Sequence, residues 1–177
     1  MEIYLIIILL IIITVIIIYN RLVSLNLRCK NAWASIDNQL KRRADLIPNL
    51  VNVTKGYAEY ESTTLESIVN KRNETIAEKA NNDKEVRDHL AKLFALTESY
   101  PDLKANEVFK KLQIELTGTE DKIAYARQFY NDSVQYFNTA IMTFPNNILA
   151  KIMKYKEKEY FKVDELDKRN VDVKLWY

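Results

Sequence analysis

The stretch Ala32 to Val51, AWASIDNQLKRRADLIPNLV, combines apolar residues at helical spacing with a dense set of charged and amide side chains. The apolar residues recur every three or four positions, as Trp33, Ile36, Leu40, Ala44, Ile47 and Val51. That spacing is typical of an α-helix with one face packed on a protein core. The stretch therefore predicts a helix whose other faces are polar.

Pro48 lies inside this pattern without shifting its register. Because proline lacks a backbone N–H and crowds the carbonyl four residues earlier, we expect a continuous helix that bends between Ala44 and Pro48. The alternative is a break at which Asp45 caps a new helix. The polar residues at the bend predict a structural network or a partner-binding surface, formed by Asp37, Gln39, Arg42, Arg43, Asp45, Pro48 and Asn49.

The start of the chain is strongly apolar, and Ile3 to Tyr19 contains no charged residue, proline or glycine. At 1.5 Å per residue this run spans about 25 Å, close to the thickness of a bilayer's hydrocarbon core. A cleaved signal peptide would carry a basic start and a small-residue cleavage site, whereas Glu2 is the one early charge here. We therefore expect residues 1–19 to be an uncleaved transmembrane anchor in the lipid bilayer.

Basic residues flank this apolar run only on its C-terminal side, beginning with Arg21, Arg28 and Lys30. Since basic flanks are retained in the cytoplasm, the sequence predicts a single-pass protein of the cell membrane with its N-terminus outside and its C-terminal domain cytoplasmic. The single cysteine, Cys29, cannot form an intramolecular disulfide, which agrees with a reducing compartment.

The rest of the chain is expected to be one all-α domain, residues 20–161, followed by a C-terminal tail, residues 162–177. Two glycines and three prolines in 177 residues leave few signals for strands and tight turns. Apolar spacing predicts three further helices, over about 83–99, 109–144 and 146–161, and the second of these has a coiled-coil-like seam. Because short connections favour antiparallel neighbours, we predict that the transmembrane helix continues into an up-and-down four-helix bundle.

The last predicted helix carries four lysines near aromatic residues, namely Lys151, Lys154, Lys156 and Lys158. Such a composition is typical of a helix that faces anionic lipid headgroups, so these lysines are candidates for contact with the membrane surface. The alternative is that the apolar side of this helix caps the bundle and the lysines are solvated.

Two long segments of the chain resemble the LemA family: YNRLVSLNLRCKNAWASIDNQLKRRADLIPNLVNVTKGYAEYE at 19–61 and ESYPDLKANEVFKKLQIELTGTEDKIAYARQFYNDSVQYFNTAIMTFP at 98–145. The resemblance implies a single-pass bacterial membrane protein with a cytoplasmic helical bundle, for which no enzymatic activity is established. Many relatives end in a Pro-x-Val-x-Phe-like tail, whereas this chain has NVDVKL at 170–175. The resemblance therefore implies nothing about docking of this tail.

The sequence favours a non-enzymatic, membrane-anchored scaffold that binds another membrane or envelope protein, with a role in envelope or membrane organisation. No catalytic residue, metal or cofactor is assigned. A net charge of +2 with mixed signs argues against nucleic-acid binding. Homo-oligomerisation stays open.

The alternative is a carboxylate-based enzyme or metal-binding bundle that uses Glu98, Glu120 and Asp121 with Arg127. A bundle di-iron centre takes two Glu-x-x-His motifs, whereas the single histidine of this chain is His89.

Overall fold

The computed structural model describes residues 1–55 and 76–161. These residues form the helices α1 (Glu2–Thr54), α2 (Ile76–Leu96), α3 (Pro101–Ala105), α4 (Glu107–Met142) and α5 (Asn146–Ile152), with a 3₁₀ turn at Thr97–Ser99. No strand occurs within the two described ranges, so the all-α prediction is confirmed for them. The apolar spacing of the first helix continues to Thr54 and Ala58, which predicts that the helix extends beyond Lys55. That extension and the predicted tail, residues 162–177, lie outside the described residues.

Helix α1 is 53 residues long and passes through Pro48 without interruption. The prediction that the helix continues through Pro48 is confirmed, and the alternative break capped by Asp45 is wrong. The bend between Ala44 and Pro48 stays a prediction. Its N-terminal part is long and apolar enough to cross a membrane. The side chains from Ile3 to Ile17 are all exposed, as expected for a segment that meets lipid rather than a protein core.

Helix α4 runs antiparallel to α1 and packs along the part of α1 that follows the apolar run. The Cys29 thiol donates a hydrogen bond to the backbone oxygen of Ser133 at 3.2 Å, and Leu22 shares a buried cluster with Ala140. Seven residues separate these contacts on each helix, so the two helices stay in register over two turns. Asn106 caps the start of α4 by accepting hydrogen bonds from the amide groups of Val108 and Phe109.

Helix α2 runs parallel to α1 and antiparallel to α4. Lys79 contacts Asp37, and Asp83, one turn later, contacts Arg43. Since α1 and α2 point the same way, they are not the antiparallel neighbours that the short connections predicted. The up-and-down arrangement of four helices is therefore not confirmed by the described residues.

The start of α2 differs from the prediction, because the helix already includes Ile76, seven residues before the predicted start near Asp83. Ala80, Asp83, Val86 and Leu90 are buried at helical spacing. An aspartate occupies one of these inward positions, so the apolar pattern that marks a helix becomes visible only after it.

Helix α5 ends at Ile152, nine residues before the predicted end. The amide of Tyr155 donates to the Ala150 carbonyl and the amide of Lys154 to the Lys151 carbonyl, while Lys154 adopts a left-handed φ of 56°. These bonds form a Schellman motif, in which glycine normally takes the left-handed position. The following residues 155–161, here called the return segment, are extended and run back along α4.

The buried apolar residues form two main groups along the rod of α1. The group far from the apolar run includes Ile47, Leu50, Leu93, Phe109 and Leu116. The group closer to it includes Ile36, Tyr130, Val134, Phe137 and Phe161. Arg43 lies between Ile36 and Ile47 on α1, so buried charge interrupts an otherwise apolar core.

Candidate functional site

Four charged side chains from three helices contact one another between the two groups of buried apolar residues. We call them the charge cluster: Arg43, Asp83, Glu120 and Arg127. Arg43 of α1 donates to one oxygen of Asp83 at 2.7 Å and to Glu120 of α4 at 3.1 Å. Arg127 of α4 donates to the other Asp83 oxygen at 2.7 Å. The carboxylate of Asp83 therefore joins α2 to both α1 and α4.

Because these ion pairs are buried, removing one partner costs more stability than it does in a surface ion pair. The Asp83 side chain is 0% exposed, Arg43 is 6% exposed and Arg127 is 13% exposed. Burial lowers the pKa of Arg127 below its ordinary value, and the negative charge of Asp83 partly offsets this effect. An arginine stays protonated even so, and the cluster therefore holds two buried cations that depend on Asp83 for compensation.

The chemistry open to the charge cluster follows from this geometry. Both oxygens of Asp83 accept hydrogen bonds from guanidinium groups, which leaves the carboxylate poorly placed to accept a proton from a substrate. Glu120 is a quarter exposed and reaches the surface. The arrangement fits a structural network that fixes the relative positions of three helices.

The predicted residues around Pro48 divide into two groups in the structure. Arg43 is buried in the charge cluster, and Asp37 bonds to Lys79 of α2 at 2.5 Å. The Gln39 side-chain oxygen is buried and accepts no hydrogen bond from any residue that the structure describes. The others point to solvent, namely Arg42, Asp45, Pro48 and Asn49.

Three of these exposed residues, Arg42, Asp45 and Asn49, belong to a longer polar surface on α1. Exposed polar side chains recur every three, four or seven residues and form what we call the polar stripe: Asn20, Ser24, Asn31, Asn38, Arg42, Asp45, Asn49 and Asn52. Helical spacing places them on one face, which extends about 48 Å from the end of the apolar run. The sequence prediction identified only three of these eight residues, all near Pro48.

Next to the end of the apolar run, the polar stripe borders a groove between α1 and α4. The groove has a volume of about 460 Å³, and Leu27 and Phe129 are among its lining residues. The Arg28 guanidinium lies 5.0 Å from the Phe129 ring centre and 5.6 Å from that of Tyr136. Cation–π contacts of this kind hold the exposed rings against α1.

Two asparagines of α4 bind the return segment through paired hydrogen bonds. The side-chain Nδ2 of Asn138 donates to the Lys158 backbone carbonyl, and its Oδ1 accepts from the Lys158 backbone N–H, both at 2.9 Å. Asn131 makes the same pair with Phe161 at 3.1 and 2.8 Å. Seven helical residues and three extended residues both span about 10 Å, so the two pairs are matched in length.

Sequence reasoning missed these asparagines and Asp83. Asn131 and Asn138 each follow a seam residue of α4, Tyr130 and Phe137, at a spacing of seven. That repeat is a usable signal, but it identifies a binding surface only when an extended segment is known to lie beside it. The burial of Asp83 has no comparable signal in the sequence.

A second depression, of about 440 Å³, lies beside Trp33 and includes Cys29, Lys79, Tyr130 and Lys158 among its lining residues. Burial raises the pKa of the Cys29 thiol, which makes it a poor nucleophile. Burial also raises the pKa of Tyr130 to about 12, and its hydroxyl donates to the Glu159 carbonyl at 3.0 Å. The thiol and the phenol of this depression are thus held in their neutral forms.

The residues of the alternative enzymatic hypothesis are only partly brought together. Glu120 and Arg127 both belong to the charge cluster, whereas Glu98 forms an exposed ion pair with Lys104 and Asp121 is exposed. Within residues 1–55 and 76–161, no group of three or more His, Cys, Asp or Glu side chains is arranged to hold a metal ion.

The four lysines predicted to face a membrane occupy two different environments. Lys151 lies on α5 and Lys154 on the turn that follows it, and both are exposed. Lys156 and Lys158 lie on the return segment, and the Lys158 ammonium sits 5.1 Å from the centre of the Phe137 ring. The structure thus separates residues that the prediction placed on one helix.

Sequence comparisons find relatives of the chain among known proteins. The chain is 26% identical over 174 residues to the magnetosome protein MamQ of Magnetospirillum gryphiswaldense, covering 81% of this chain and 64% of that protein. It is 36% identical over 72 residues to MamQ 2 of Paramagnetospirillum magneticum, covering 41% of this chain and 26% of that protein. It is also 26% identical over 159 residues to Protein LemA of Metamycoplasma hominis, covering 86% of this chain and 73% of that protein.

The chain thus spans less than two thirds of the length of these MamQ relatives. A sequence model of the LemA family matches residues 32–175, which include the polar residues around Pro48, the charge cluster and the return segment. On this match the chain belongs to the LemA family.

Proposed function

We propose that this LemA family protein is a non-enzymatic, membrane-anchored scaffold that binds another membrane or envelope protein. The proposal includes a single membrane pass by residues 1–19, with the N-terminus outside and the helical domain in the cytoplasm. The absence of basic residues before the apolar run and the presence of Arg21, Arg28 and Lys30 after it support this orientation.

The observation that carries the proposal is the continuity of α1. The apolar segment and the helix at the centre of the domain are one uninterrupted helix, Glu2–Thr54. Helix α4 packs against α1 from Leu22 toward the C-terminal end of α1, so no flexible linker separates the anchor from the domain. A rigid connection of this kind fixes the height and direction of the domain's surface above the membrane.

The surface that this connection presents is the polar stripe of α1 with the adjacent groove. The stripe is rich in asparagine side chains, which can both donate and accept hydrogen bonds. The groove adds the exposed ring of Phe129, and the exposed ring of Tyr136 lies beside it against Arg28. Interfaces between proteins combine aromatic anchors with a polar rim in this way. A partner that is itself held in the membrane would meet this face along the full length of the stripe.

Site-specific photo-crosslinking in native membranes tests the proposal. A photoreactive phenylalanine analogue is placed at Arg42 or Asn49, on the polar stripe, and at Lys92, an exposed position on α2, as the matched control. We expect a discrete crosslinked product from the stripe positions that the control lacks. Equal labelling at all three positions, or none at the stripe, would contradict a partner-binding role for this face.

A further inference from the structure

The turn between α4 and α5 and the residues after α5 form the end of the domain closest to the apolar run. We call residues 142–154 the membrane-side turn. Four large apolar side chains on it are exposed: Met142 (55%), Phe144 (79%), Ile148 (54%) and Ile152 (71%). Ile148 and Ile152 are four residues apart on α5, which directs them toward one side of that helix, and Phe144 lies in the turn before it.

The register between α1 and α4 gives the height of this turn. Ala140 packs with Leu22 in a cluster that also includes Ile18 and Ala150. Because Ile18 belongs to the apolar run of α1, its packing on the same cluster as Ala150 brings α5 level with the last turn of that run. The return segment then leads away from the apolar run along α4, since Lys158 pairs with Asn138 and Phe161 with Asn131.

We propose that the membrane-side turn is a second membrane contact, which places Met142, Phe144, Ile148 and Ile152 in the interfacial layer of the bilayer beside the transmembrane helix. An exposed apolar group of this size in water is unfavourable, whereas at this height it meets lipid. Lys151 and Lys154 flank the apolar side chains and are exposed, which suits contact with anionic headgroups. The turn thus supports α1 at the point where it leaves the bilayer.

This inference rests on the membrane anchor of the proposed function but not on its partner-binding role. It differs from attraction of lysines to a membrane surface, because the apolar side chains carry the contact. A helix with its polar face outward and its apolar face buried lies about 5–10 Å into the boundary between headgroups and acyl chains. Helix α5 is short and packs beside the last turn of the apolar run, so it can reach that depth.

Spin-label accessibility in the full chain tests the contact. With the native Cys29 replaced by serine, a nitroxide is attached to Phe144→Cys or Ile152→Cys, and the protein is reconstituted in phosphatidylcholine–phosphatidylglycerol vesicles. Leu10→Cys in the anchor and Tyr125→Cys, exposed farther along α4, are the membrane and water controls. We expect labels at 144 and 152 to be accessible to oxygen and shielded from an aqueous nickel chelate about fivefold relative to the label at 125.

Two results would overturn the inference. Chelate accessibility at 144 and 152 equal to that at 125 would place the turn in water. Shielding from both oxygen and the chelate would mean that protein, such as a second copy of the chain, covers the turn. A label at residue 10 that is itself open to the chelate would instead contradict the anchor, and with it the proposed function.

Discussion

Replacing Asp83 by alanine is expected to lower the free energy of unfolding of the helical domain by about 3 to 5 kcal/mol, because it removes the buried carboxylate that Arg43 and Arg127 share. Glu120 contacts Arg43 but is 25% exposed, so it compensates only part of the loss. The measurement is equilibrium unfolding in guanidinium, followed by far-ultraviolet circular dichroism on the full chain in detergent micelles.

The control for this change is Asp88→Ala, which removes an exposed aspartate from the same helix and is expected to alter stability by less than about 0.5 kcal/mol. Replacing the three buried members together, as Arg43→Met with Asp83→Leu and Arg127→Met, should recover much of the loss, since the remaining charge of the cluster, Glu120, is a quarter exposed and reaches water. A similar cost for Asp83→Ala and Asp88→Ala would show that the charge cluster does not hold the helices together.

Phe161→Ala is expected to cost about 3 to 4 kcal/mol and to release the return segment from α4. The Phe161 side chain is 2% exposed. Its ring centre lies 6.1 Å from the ring centre of Trp33 and 5.7 Å from the guanidinium carbon of Arg127. Truncation leaves a cavity between α1 and α4 and removes the apolar contact that supports the Asn131 hydrogen bonds. Unfolding by guanidinium gives the stability, and limited proteolysis reports release of the segment.

The neighbouring Tyr160→Ala is the matched control, because Tyr160 is 41% exposed and lies on the same segment. It removes an aromatic side chain of similar size from the surface and is expected to change stability by less than about 0.5 kcal/mol. If the two substitutions had equal effects on stability and on proteolysis, the return segment would not be anchored by Phe161.

The parts of the fold that could be predicted from the sequence are those set by long apolar patterns. The run Ile3 to Tyr19 and the seam of α4 each repeat over many turns, so the helices they form follow directly from them. The uninterrupted passage through Pro48 is also predictable, because the apolar register is the same on both sides of the proline.

The sequence pattern misleads where polar groups decide the structure. It places the beginning of α2 too late because Asp83 fills an inward position that ion pairs stabilise. It places the end of α5 too late because Lys154 takes a left-handed conformation usually reserved for glycine. The return segment is then held by asparagine side chains of α4, a long-range contact that local sequence patterns do not report.

The candidate site also has a part that the sequence pattern predicts and a part that long-range polar contacts decide. Arg43 is among the polar residues predicted around Pro48, but its partners Asp83 and Glu120 are 40 and 77 residues away in sequence. Periodicity places a residue on a face of its own helix and does not pair it with a particular residue on another helix. The buried and exposed members of the predicted group could therefore be separated only in three dimensions.

The continuity of α1 between membrane and domain is tested most directly by a distance measurement. Spin labels at Leu10→Cys, in the apolar run, and Asn38→Cys, on the polar stripe, are introduced with Cys29 replaced by serine, and pulsed electron resonance is recorded in lipid nanodiscs. A continuous helix predicts one narrow distribution near 42 Å, at about 1.5 Å for each intervening residue. A broad distribution, or a second population at shorter distances, would show a hinge between anchor and domain and contradict a rigid scaffold.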